Sequence, residues 1–516
     1  MSTKRFLSWI IVLCCALALF LQPLGLSAAN VKINILTVND FHGALVGEGD
    51  VPGAARLAGL MEYIYNNNPN GTIVLSAGDM FQGTVRSNIL YGKPVMEMMN
   101  VMNFKAMALG NHEFDWGMDH LKERALEAKF PMVAANVIEK ETNTYIDFVL
   151  PYTIIKVKGV NVGVIGLTTV ETAYSTNMNV ANKFNFEDYV ESIGKVYNEV
   201  KKEGADVVVV LGHIGSAQKD GVSTGEAVVL MNALDKTDYK IDALISAHEH
   251  NVVKDKINGI PIVQAGNNGR YIGVITLVYS TDEKSVIESS VDVVPVSLKQ
   301  KEHHRVKKIV EKSAFAAIPF EKTILGKTEG LYHDRHTVSP LGMWAADTMK
   351  EAINVDIAVQ NGGGLRKSLL AGNITLGNFY DIAPFDNTII TMEMTGKQIK
   401  DLMEYGLNNE FGTAQYSGLN IVYNSSASKG AKIVDITLAD GRPLLDDGVY
   451  TVCTNDFLAG GGDGFVIFKE AKNQVNTNVV LRDVFIDAVK KAENVIFKDD
   501  GRFKDKAVVK QEKSAA

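Results

Sequence analysis

Aspartates, histidines and asparagines occur in five short segments of the first 250 residues, each following an apolar run. The segments are NDFH, AGDM, GNHEFD, GHIG and AHEH. Their ligand-type side chains belong to Asp40, His42, Asp79, Asn111, His112, Asp115, His213, His248 and His250. A mixture of carboxylate, imidazole and amide groups suits borderline divalent metals such as zinc, manganese or iron. It does not suit a structural zinc site built from thiolates.

The number of these side chains predicts two metal ions. One ion would be held by Asp40, His42 and His250. The other would be held by Asn111, His213 and His248. Asp79 would bridge the two ions through its two carboxylate oxygens. Two ions about 3.5–4 Å apart generate a metal-bound hydroxide near neutral pH and clamp a phosphoryl oxygen during in-line displacement.

His112 and Asp115 are the candidate catalytic side chains. His112 follows Asn111 directly, so its ring can face a substrate without binding metal. Asp115 can orient that ring and stabilise its protonated form, which would assist the oxygen that gains charge as the bond breaks. A lone Asp-x-His at a strand end is more often a hydrogen-bonded turn, but five such segments together favour a metallophosphatase. The other histidines match no motif and are expected to be solvated or structural: His120, His303, His304, His333 and His336.

Apolar runs rich in β-branched residues precede the polar segments and predict strands of a buried sheet. They span residues 33–38, 72–75, 105–109, 162–167, 207–211 and 241–245. The carboxyl ends of such strands converge on one crevice, so the polar side chains that follow them can meet in space. Residues 56–64 place apolar side chains at helical spacing. These patterns predict a layered α/β domain.

The whole chain is longer than one hydrophobic core usually supports, and its charge is acidic. It has 516 residues and a formal net charge of -8. More than one domain is therefore expected, and a protein that coats nucleic acid is disfavoured because such proteins usually carry a basic face. Only Cys453 remains once the first 29 residues are removed, so the mature chain can form no internal disulfide.

The N-terminus has the pattern of a secretory signal peptide. Lys4 and Arg5 precede an apolar run over residues 6–21, and small residues follow at 27–29. This pattern predicts export and cleavage near Ala29, with an uncleaved membrane anchor as the alternative. No second long apolar segment follows and the C-terminus is polar, so no membrane anchor is expected after cleavage.

The second half of the chain contains candidate groups for gripping a ligand. The glycines of QNGGGLR allow close backbone approach, and Arg366 at its end can contact phosphate through two nitrogens. Arg335 precedes a predicted helix that starts at Ser339-Pro340 and can join the same anion site. Phe385 and Phe457 occur in loop-like contexts and could stack on a base, although most loop phenylalanines pack in a core. Asp463, within GGGDGF, could accept hydrogen bonds from ribose.

The segments DFH, GD, GNHEFD, GH and HEH, in this order, resemble the signature of calcineurin-like metallophosphatases. GNHEFD specifically resembles the 5′-nucleotidase family, and the similarity extends over almost the whole mature chain. The resemblance implies substrate-binding roles for Arg335, Asn361, Arg366, Phe385, Asn387, Gly412, Phe457 and Asp463. It implies that the two phenylalanines stack on the base. The sequence departs from this family's pattern at His250, where several 5′-nucleotidases carry Gln or Asn. This difference concerns which metal is preferred and not whether the site exists.

The expected fold is α/β (α+β). A layered β-sandwich metallophosphatase domain with flanking helices would span residues 30–297. A helical linker would span 298–325, and a smaller α/β substrate-binding domain would span 326–510. Because metal ligands and base-gripping residues fall in different domains, the reacting centre is expected between them, with domain rotation bringing the phosphate to the metals.

The sequence therefore predicts a secreted, periplasmic or extracellular hydrolase with two divalent metal ions. It would release phosphate from nucleoside 5′-phosphates, with nucleoside di- and triphosphates or UDP-sugars as further substrates. The partner would be a small nucleotide and not a nucleic acid polymer. Alternatives of the same superfamily are a 2′,3′-cyclic-nucleotide phosphodiesterase/3′-nucleotidase and a sulfur-oxidation hydrolase. An alternative of another class is a non-catalytic secreted nucleotide-binding protein.

Overall fold

The computed structural model of the chain describes residues 30–506. The predicted signal segment and the last ten residues lie outside this range. The described chain has two domains, each with its own sheets and cores. Within residues 30–506, no helix combines the length and the apolar character that a membrane span needs.

Two six-stranded sheets form the centre of the N-terminal domain. In spatial order the first contains Ser285–Pro295, Tyr271–Ser280, Asn30–Val38, Thr72–Ser76, Ala106–Ala108 and Met132–Val133. The second contains Val252–Ile257, Ile260–Ala265, Ala243–Ile245, Val207–His213, Val160–Thr168 and Tyr152–Val157. All six predicted strands are present. Those within each sheet pair in parallel, so that their carboxyl ends lie on one side.

The two sheets pack face to face, and helices cover their outer surfaces. Side chains such as Ile33, Leu75, Val164 and Val209 fill the space between the sheets. Helices Ala54–Tyr65, Lys93–Val101 and Met118–Glu127 pack outside the first sheet. Helices Tyr189–Lys202 and Glu226–Leu234 pack outside the second. Because the central strands are buried on both faces, they are almost entirely apolar. The predicted layered β-sandwich with flanking helices is confirmed.

Shorter elements complete the N-terminal domain. A small sheet contains Thr144–Tyr145, Val137–Glu139 and Phe184–Phe186, and a hairpin contains Ala217–Lys219 and Val222–Thr224. The short helices are Val85–Asn88, Thr172–Ser175 and Met178–Ala181.

The C-terminal domain is built on a five-stranded sheet of Ala414–Ser417, Ile357–Asn361, Val449–Asn455, Thr388–Thr395 and Lys472–Val480, in that order. Two small sheets contain Gly372–Thr375, Ile324–Thr328 and Asn494–Val495, and Ile433–Leu438, Leu419–Tyr423 and Phe503–Asp505. The helices are Pro340–Ile353, Leu376–Ile382, Gly396–Gly406, Asp456–Ala459 and Leu481–Ala492. Two separate apolar cores include residues of the central sheet.

Both helix starts predicted in this domain are present. Ser339 is the N-cap of Pro340–Ile353, and its hydroxyl accepts a hydrogen bond from the N–H of Gly342 at 3.3 Å. Thr395 and Gln398 form a capping box at the start of Gly396–Gly406. These caps satisfy backbone groups that a helix end leaves without partners.

Helix His304–Lys322 connects the domains. It packs against helices Ala54–Tyr65 and Lys93–Val101 of the first domain and against Leu376–Ile382 of the second. A salt bridge of 2.7 Å joins Arg86 Nε in the first domain to Glu321 Oε1 in this helix. The connection is therefore helical, as the charged sequence predicts.

Candidate active site

The five polar segments meet where parallel strands of both sheets end. Asp40 and Asp79 follow strands Asn30–Val38 and Thr72–Ser76 of the first sheet. A short 3-10 turn, Asn111–Phe114, follows the next strand. His213 is the last residue of a strand in the second sheet, and His248 follows a neighbouring strand. The parallel order brings all five segments to one crevice.

Five of the candidate metal ligands have left-handed backbone conformations. The φ angles are 48° at Asp40, 50° at His42, 55° at Asp79, 77° at His248 and 58° at His250. Positive φ is uncommon for residues other than glycine, and such conformations persist only where the surroundings hold them. Tight turns at the strand ends therefore direct these side chains into the crevice.

The first group of ligand atoms comes from Asp40, His42 and His250, and these atoms lie within 4.8 Å of one another. The Nε2 atoms of the two histidines are 3.0 Å apart. His42 Nδ1 lies 2.9 Å from the backbone oxygen of Gln82, to which it donates because a carbonyl can only accept. Burial lowers the pKa of His42 to about 3. The ring is therefore neutral, and its Nε2 carries the lone pair that could bind a metal.

The second group comes from Asp79, His213 and His248, again within 4.8 Å of one another. The amide oxygen of Asn111 lies 3.2 Å from His213 Nε2, which adds the fourth predicted side chain. The other ring nitrogen of His213 lies 2.8 Å from the backbone oxygen of Ala77, which fixes the ring. All predicted members of the second metal group are thus together.

Asp79 lies between the two groups. Its Oδ2 atom is 3.2 Å from His213 Nε2 and 3.9 Å from His42 Nε2. Burial alone would raise the pKa of Asp79, but the imidazoles of His213 and His112 hold it well below its usual range. An ionised carboxylate in this place is suited to bridge two cations.

The chemistry of the donor set fits a pair of divalent ions. Carboxylates, neutral imidazoles and an amide oxygen are ligands of zinc, manganese and iron. Ligand atoms of one ion, each about 2.1 Å from it, lie roughly 3–4 Å apart. The spacing of 3.0 Å between His42 and His250 and of 3.6 Å between His250 Nε2 and Asp40 Oδ1 matches this expectation.

His112 lies beside the metal-ligand groups and is held by Asp115. Its Nδ1 atom is 2.8 Å from Asp115 Oδ2, and the hydroxyl of Thr176 donates to the other oxygen of Asp115 at 2.8 Å. The Nε2 atom is 4.0 Å from Asp79 Oδ2. Burial lowers the pKa of His112, but the carboxylates of Asp115 and Asp79 outweigh it and raise the pKa to about 9. In the metal-free site these two carboxylates therefore favour the protonated ring.

One cavity of about 410 Å³ is lined by both domains. The first domain contributes Asp79, Asn111, His112, Asp115, His248 and His250 to the walls. The second contributes seven predicted substrate residues: Arg335, Asn361, Arg366, Phe385, Asn387, Phe457 and Asp463. Asp40 and His213 are fully buried behind this wall, and His42 faces an adjoining cavity of about 560 Å³.

Hydrogen bonds order the second domain's part of the cavity. The amide of Asn361 donates to Asp463 at 2.7 Å, and the amide of Asn387 donates to Asp456 at 2.7 Å. Arg335 Nε donates to the backbone oxygen of Phe411 at 2.5 Å. Gly412 does not line the cavity, but a Cβ there would lie 3.1 Å from Cγ of Arg335. Gly412 therefore allows the loop to approach Arg335.

Phe385 contacts the first domain directly. Its ring lies 5.2 Å from that of His112 with an angle of 22° between the planes. The guanidinium carbon of Arg366 lies 5.7 Å from the centre of the same phenyl ring. The backbone oxygen of the preceding Pro384 accepts a hydrogen bond of 3.0 Å from Asn88 of the first domain. This loop therefore joins the domains next to the metal-ligand groups.

Sequence reasoning missed two acidic residues of the site. Glu113 lies inside GNHEFD and accepts hydrogen bonds from the backbone of the Asp79 loop and from Gly110 of its own segment. Its position in that motif was a signal that could have found it. Glu171 Oε2 lies 3.1 Å from His248 Nε2, and no motif surrounds it in the sequence.

Comparisons with known proteins agree with this geometry. Residues 33–252 match the calcineurin-like phosphoesterase family, and residues 323–470 match the 5′-nucleotidase C-terminal domain. The chain is 29% identical over 510 residues to a 5′-nucleotidase of Vibrio cholerae serotype O1, covering 88% of this chain and 90% of that protein. It is 33% identical over 461 residues to Endonuclease YhcR of Bacillus subtilis (strain 168). That match covers 83% of this chain but only 37% of the length of the relative.

A solved structure has a similar overall fold. The 5′-nucleotidase precursor from Thermus thermophilus superimposes with a TM-score of 0.75 at 27% sequence identity. The similarity covers 92% of this chain and 99% of that one. The chain therefore combines a region that matches the calcineurin-like phosphoesterase family with a region that matches the 5′-nucleotidase C-terminal domain, and its fold is similar to that of a solved 5′-nucleotidase precursor.

Proposed function

We propose that the chain hydrolyses nucleoside 5′-monophosphates to nucleosides and phosphate, using two divalent metal ions. The observation that carries the proposal is the shared cavity. Members of both metal-ligand groups, such as His248 and His250, line the same 410 Å³ space as Arg366, Phe457 and Asp463 of the second domain. A phosphate ester and its nucleoside can therefore be bound together.

In this proposal each ion has its own ligands, and Asp79 is shared. Asp40, His42 and His250 hold one ion, and Asn111, His213 and His248 hold the other. When bound, the ions supply an activated water and neutralise charge on the phosphoryl oxygens. Metal analysis of the purified protein would identify the native ions among zinc, manganese and similar metals.

The side chain of His112 stabilises the leaving oxygen. Its protonated ring faces the cavity, and Asp115 holds Nδ1 so that Nε2 points towards the region of the ions. A cation at this place stabilises the oxygen that gains negative charge, and it can give that oxygen a proton. Thr176 keeps Asp115 in place through its hydroxyl.

The second domain binds the nucleotide. Arg366, together with Arg335, contacts phosphate oxygens, and Asp463 accepts hydrogen bonds from the ribose hydroxyls. Asn361 and Asn387 orient the acidic side chains beside the sugar and the base. Phe457 and Phe385 stack on the two faces of the base. Gly412 allows the close approach of the loop that supports Arg335.

Nucleotide entry requires Phe385 to exchange partners. Its ring stacks on His112 with 5.2 Å between the ring centres, so this contact occupies ring surface that a base would need for stacking. A rotation between residues 30–297 and 326–510 about the linker 298–325 would separate these rings and later return the phosphate to the metals. Cross-linking the domains in the separated state should abolish turnover and leave nucleotide binding, and unaffected turnover would refute the rotation.

We further propose that the protein is exported, because residues 4–29 have the pattern of a cleaved signal peptide.

Nucleoside di- and triphosphates and UDP-sugars are proposed as additional substrates, since the adjoining cavity of about 560 Å³ leaves room beyond the phosphate.

A substrate panel tests the function and separates it from its rivals. Phosphate release from 5′-AMP should exceed that from 3′-AMP and 2′,3′-cyclic AMP, and it should disappear with a chelator. A preference for the cyclic or 3′-nucleotide would favour the phosphodiesterase/3′-nucleotidase alternative. Nucleotide binding without any hydrolysis in metal-replete buffer would favour a non-catalytic binding protein.

A further inference from the structure

A buried carboxylate connects the loop that carries Asp79 with the loop that carries Asn111 and His112. Glu113 is 3% exposed. Its Oε2 atom accepts hydrogen bonds from the backbone N–H groups of Asp79 at 2.8 Å and Gly110 at 2.7 Å. Its Oε1 atom accepts from the N–H of Met80 at 2.9 Å. Glu113 therefore accepts three backbone hydrogen bonds, two from the Asp79 loop and one from Gly110.

The packing around Glu113 leaves little freedom between these loops. A Cβ on Gly110 would lie 2.0 Å from Asp79 Oδ1, and a Cβ on Gly78 would lie 2.5 Å from the backbone nitrogen of Gly110. The loops therefore touch through their backbones, where no side chain fits. Glu113 bonds to both sides of this contact.

The backbone of Asp79 needs such support. Its φ of 55° is a conformation that residues other than glycine adopt only when the surroundings hold it. The N–H groups of Asp79 and the next residue both donate to Glu113. Without that acceptor, the turn can relax and the Asp79 carboxylate can leave the space between the two histidine groups.

We propose that Glu113 is a positioning residue of the metal centre. It fixes the Asp79 turn against the Asn111–His112 turn, so that the bridging carboxylate, the Asn111 amide and the His112 ring keep their spacing before an ion binds. The inference rests on the proposed two-metal function. Glu113 acts through the backbone of other residues, so its effect is expected on metal affinity and on kcat more than on KM.

The first test substitutes Glu113 by glutamine in the full chain. Glu113→Gln keeps the size of the side chain but turns an NH₂ group towards backbone donors. Calorimetric titration of the chelator-treated protein with Mn²⁺ should show affinity for at least one ion reduced by about 10- to 100-fold. With Mn²⁺ added to saturation, kcat for AMP should remain reduced, while KM should change by less than about threefold.

Asp242→Asn is the matched control. Asp242 is also a carboxylate that accepts from a backbone N–H, that of Val208 at 2.8 Å. It lies at the start of strand Ala243–Ile245, at the opposite end from His248. This variant should unfold at a lower temperature and bind Mn²⁺ as the wild type does. Equal Mn²⁺ affinity of Glu113→Gln, Asp242→Asn and wild type would overturn the proposal.

A measurement on the unmodified protein covers the case in which Glu113→Gln does not fold. In the metal-free wild type, the amides of Asp79, Met80 and Gly110 should be protected from hydrogen exchange, because each donates to Glu113. Rapid exchange of these amides would overturn the proposal. If the proposed function itself were wrong, the wild type would release no phosphate from AMP at any metal concentration. This result is distinct from a failure of the positioning role of Glu113.

Discussion

The backbone N–H of His112 donates a hydrogen bond of 3.0 Å to Oδ1 of Asp79. The other oxygen of Asp79 faces the Nε2 atoms of His213 and His42. One oxygen of the Asp79 carboxylate therefore holds the turn that carries His112. The other oxygen lies between the two ligand groups. The position of His112 relative to the metals thus depends on Asp79, and a change at Asp79 should affect both.

Asp79→Asn should reduce kcat/KM for AMP by more than about 100-fold, because a neutral amide lacks the negative charge that the carboxylate offers to two cations. The metal content should fall in parallel, as measured by elemental analysis after dialysis. Asp282→Asn, which changes an exposed turn residue, should leave both quantities unchanged. Two tightly bound ions together with wild-type activity in Asp79→Asn would rule out the bridging role.

His112→Gln should lower kcat by about 10²- to 10⁴-fold, the usual range for loss of an acid–base or charge-stabilising group. Since His112 is not proposed as a metal ligand, the two ions should remain bound. The control is His120→Gln, a partly exposed histidine that stacks on Tyr91 at 3.7 Å. An unchanged kcat in His112→Gln would exclude this residue from the chemistry.

Thr176→Val should lower kcat by roughly tenfold, which is the scale of a single hydrogen bond to a charged group. The hydroxyl of Thr176 donates to Asp115, and Asp115 in turn orients His112. The loss should therefore be smaller than in His112→Gln, and the double variant should be no worse than His112→Gln alone. Additive losses would show that Thr176 acts independently of this histidine.

Phe457→Ala should raise KM for AMP by about tenfold or more, because base–aromatic stacking contributes ~1–3 kcal/mol per base. KM for a small aryl phosphate, which has no base, should change little. Phe315→Ala removes an aromatic ring that is 77% exposed on the interdomain helix and serves as the control. Equal increases of KM for the two substrates would contradict base stacking.

Gly110→Ala should abolish activity even if the protein folds. Gly110 has φ of -86°, which alanine adopts readily, so the backbone itself is not an obstacle. The new Cβ would lie 2.0 Å from Asp79 Oδ1 and would push the carboxylate aside. Circular dichroism should show a native spectrum while Mn²⁺ titration shows weakened binding. Wild-type Mn²⁺ affinity in this variant would show that the loops can separate without consequence.

Much of the first domain followed from the sequence. Central strands of a sandwich are buried on both faces, so apolar runs such as those at Val160–Thr168 and Val207–His213 mark them without ambiguity. The helix that begins after Ser339 could also be predicted, because a serine N-cap followed by proline is a local signal of a helix start. The positions of the candidate ligands then followed, because each comes after a strand and parallel strands have their carboxyl ends on the same side of the sheet.

Other features depended on contacts that leave no local pattern. Glu113 acts on Asp79 from 34 residues away along the chain, and Glu171 meets His248 across 77 residues. The contact of Phe385 with His112 arises only when two domains come together. Such relationships are set by tertiary packing: the GNHEFD motif contains Glu113 but does not show its partner, and no motif surrounds Glu171 or joins Phe385 to His112.

Stoichiometric metal titration, coupled to phosphate release from AMP, tests the central claim most directly. Chelator-treated protein is titrated with Mn²⁺ or Zn²⁺ while the rate is followed. The two ligand groups around Asp79 predict no activity without metal and a maximum at two ions per chain. Full activity in the presence of chelator, or a maximum at a single ion, would contradict the two-metal site.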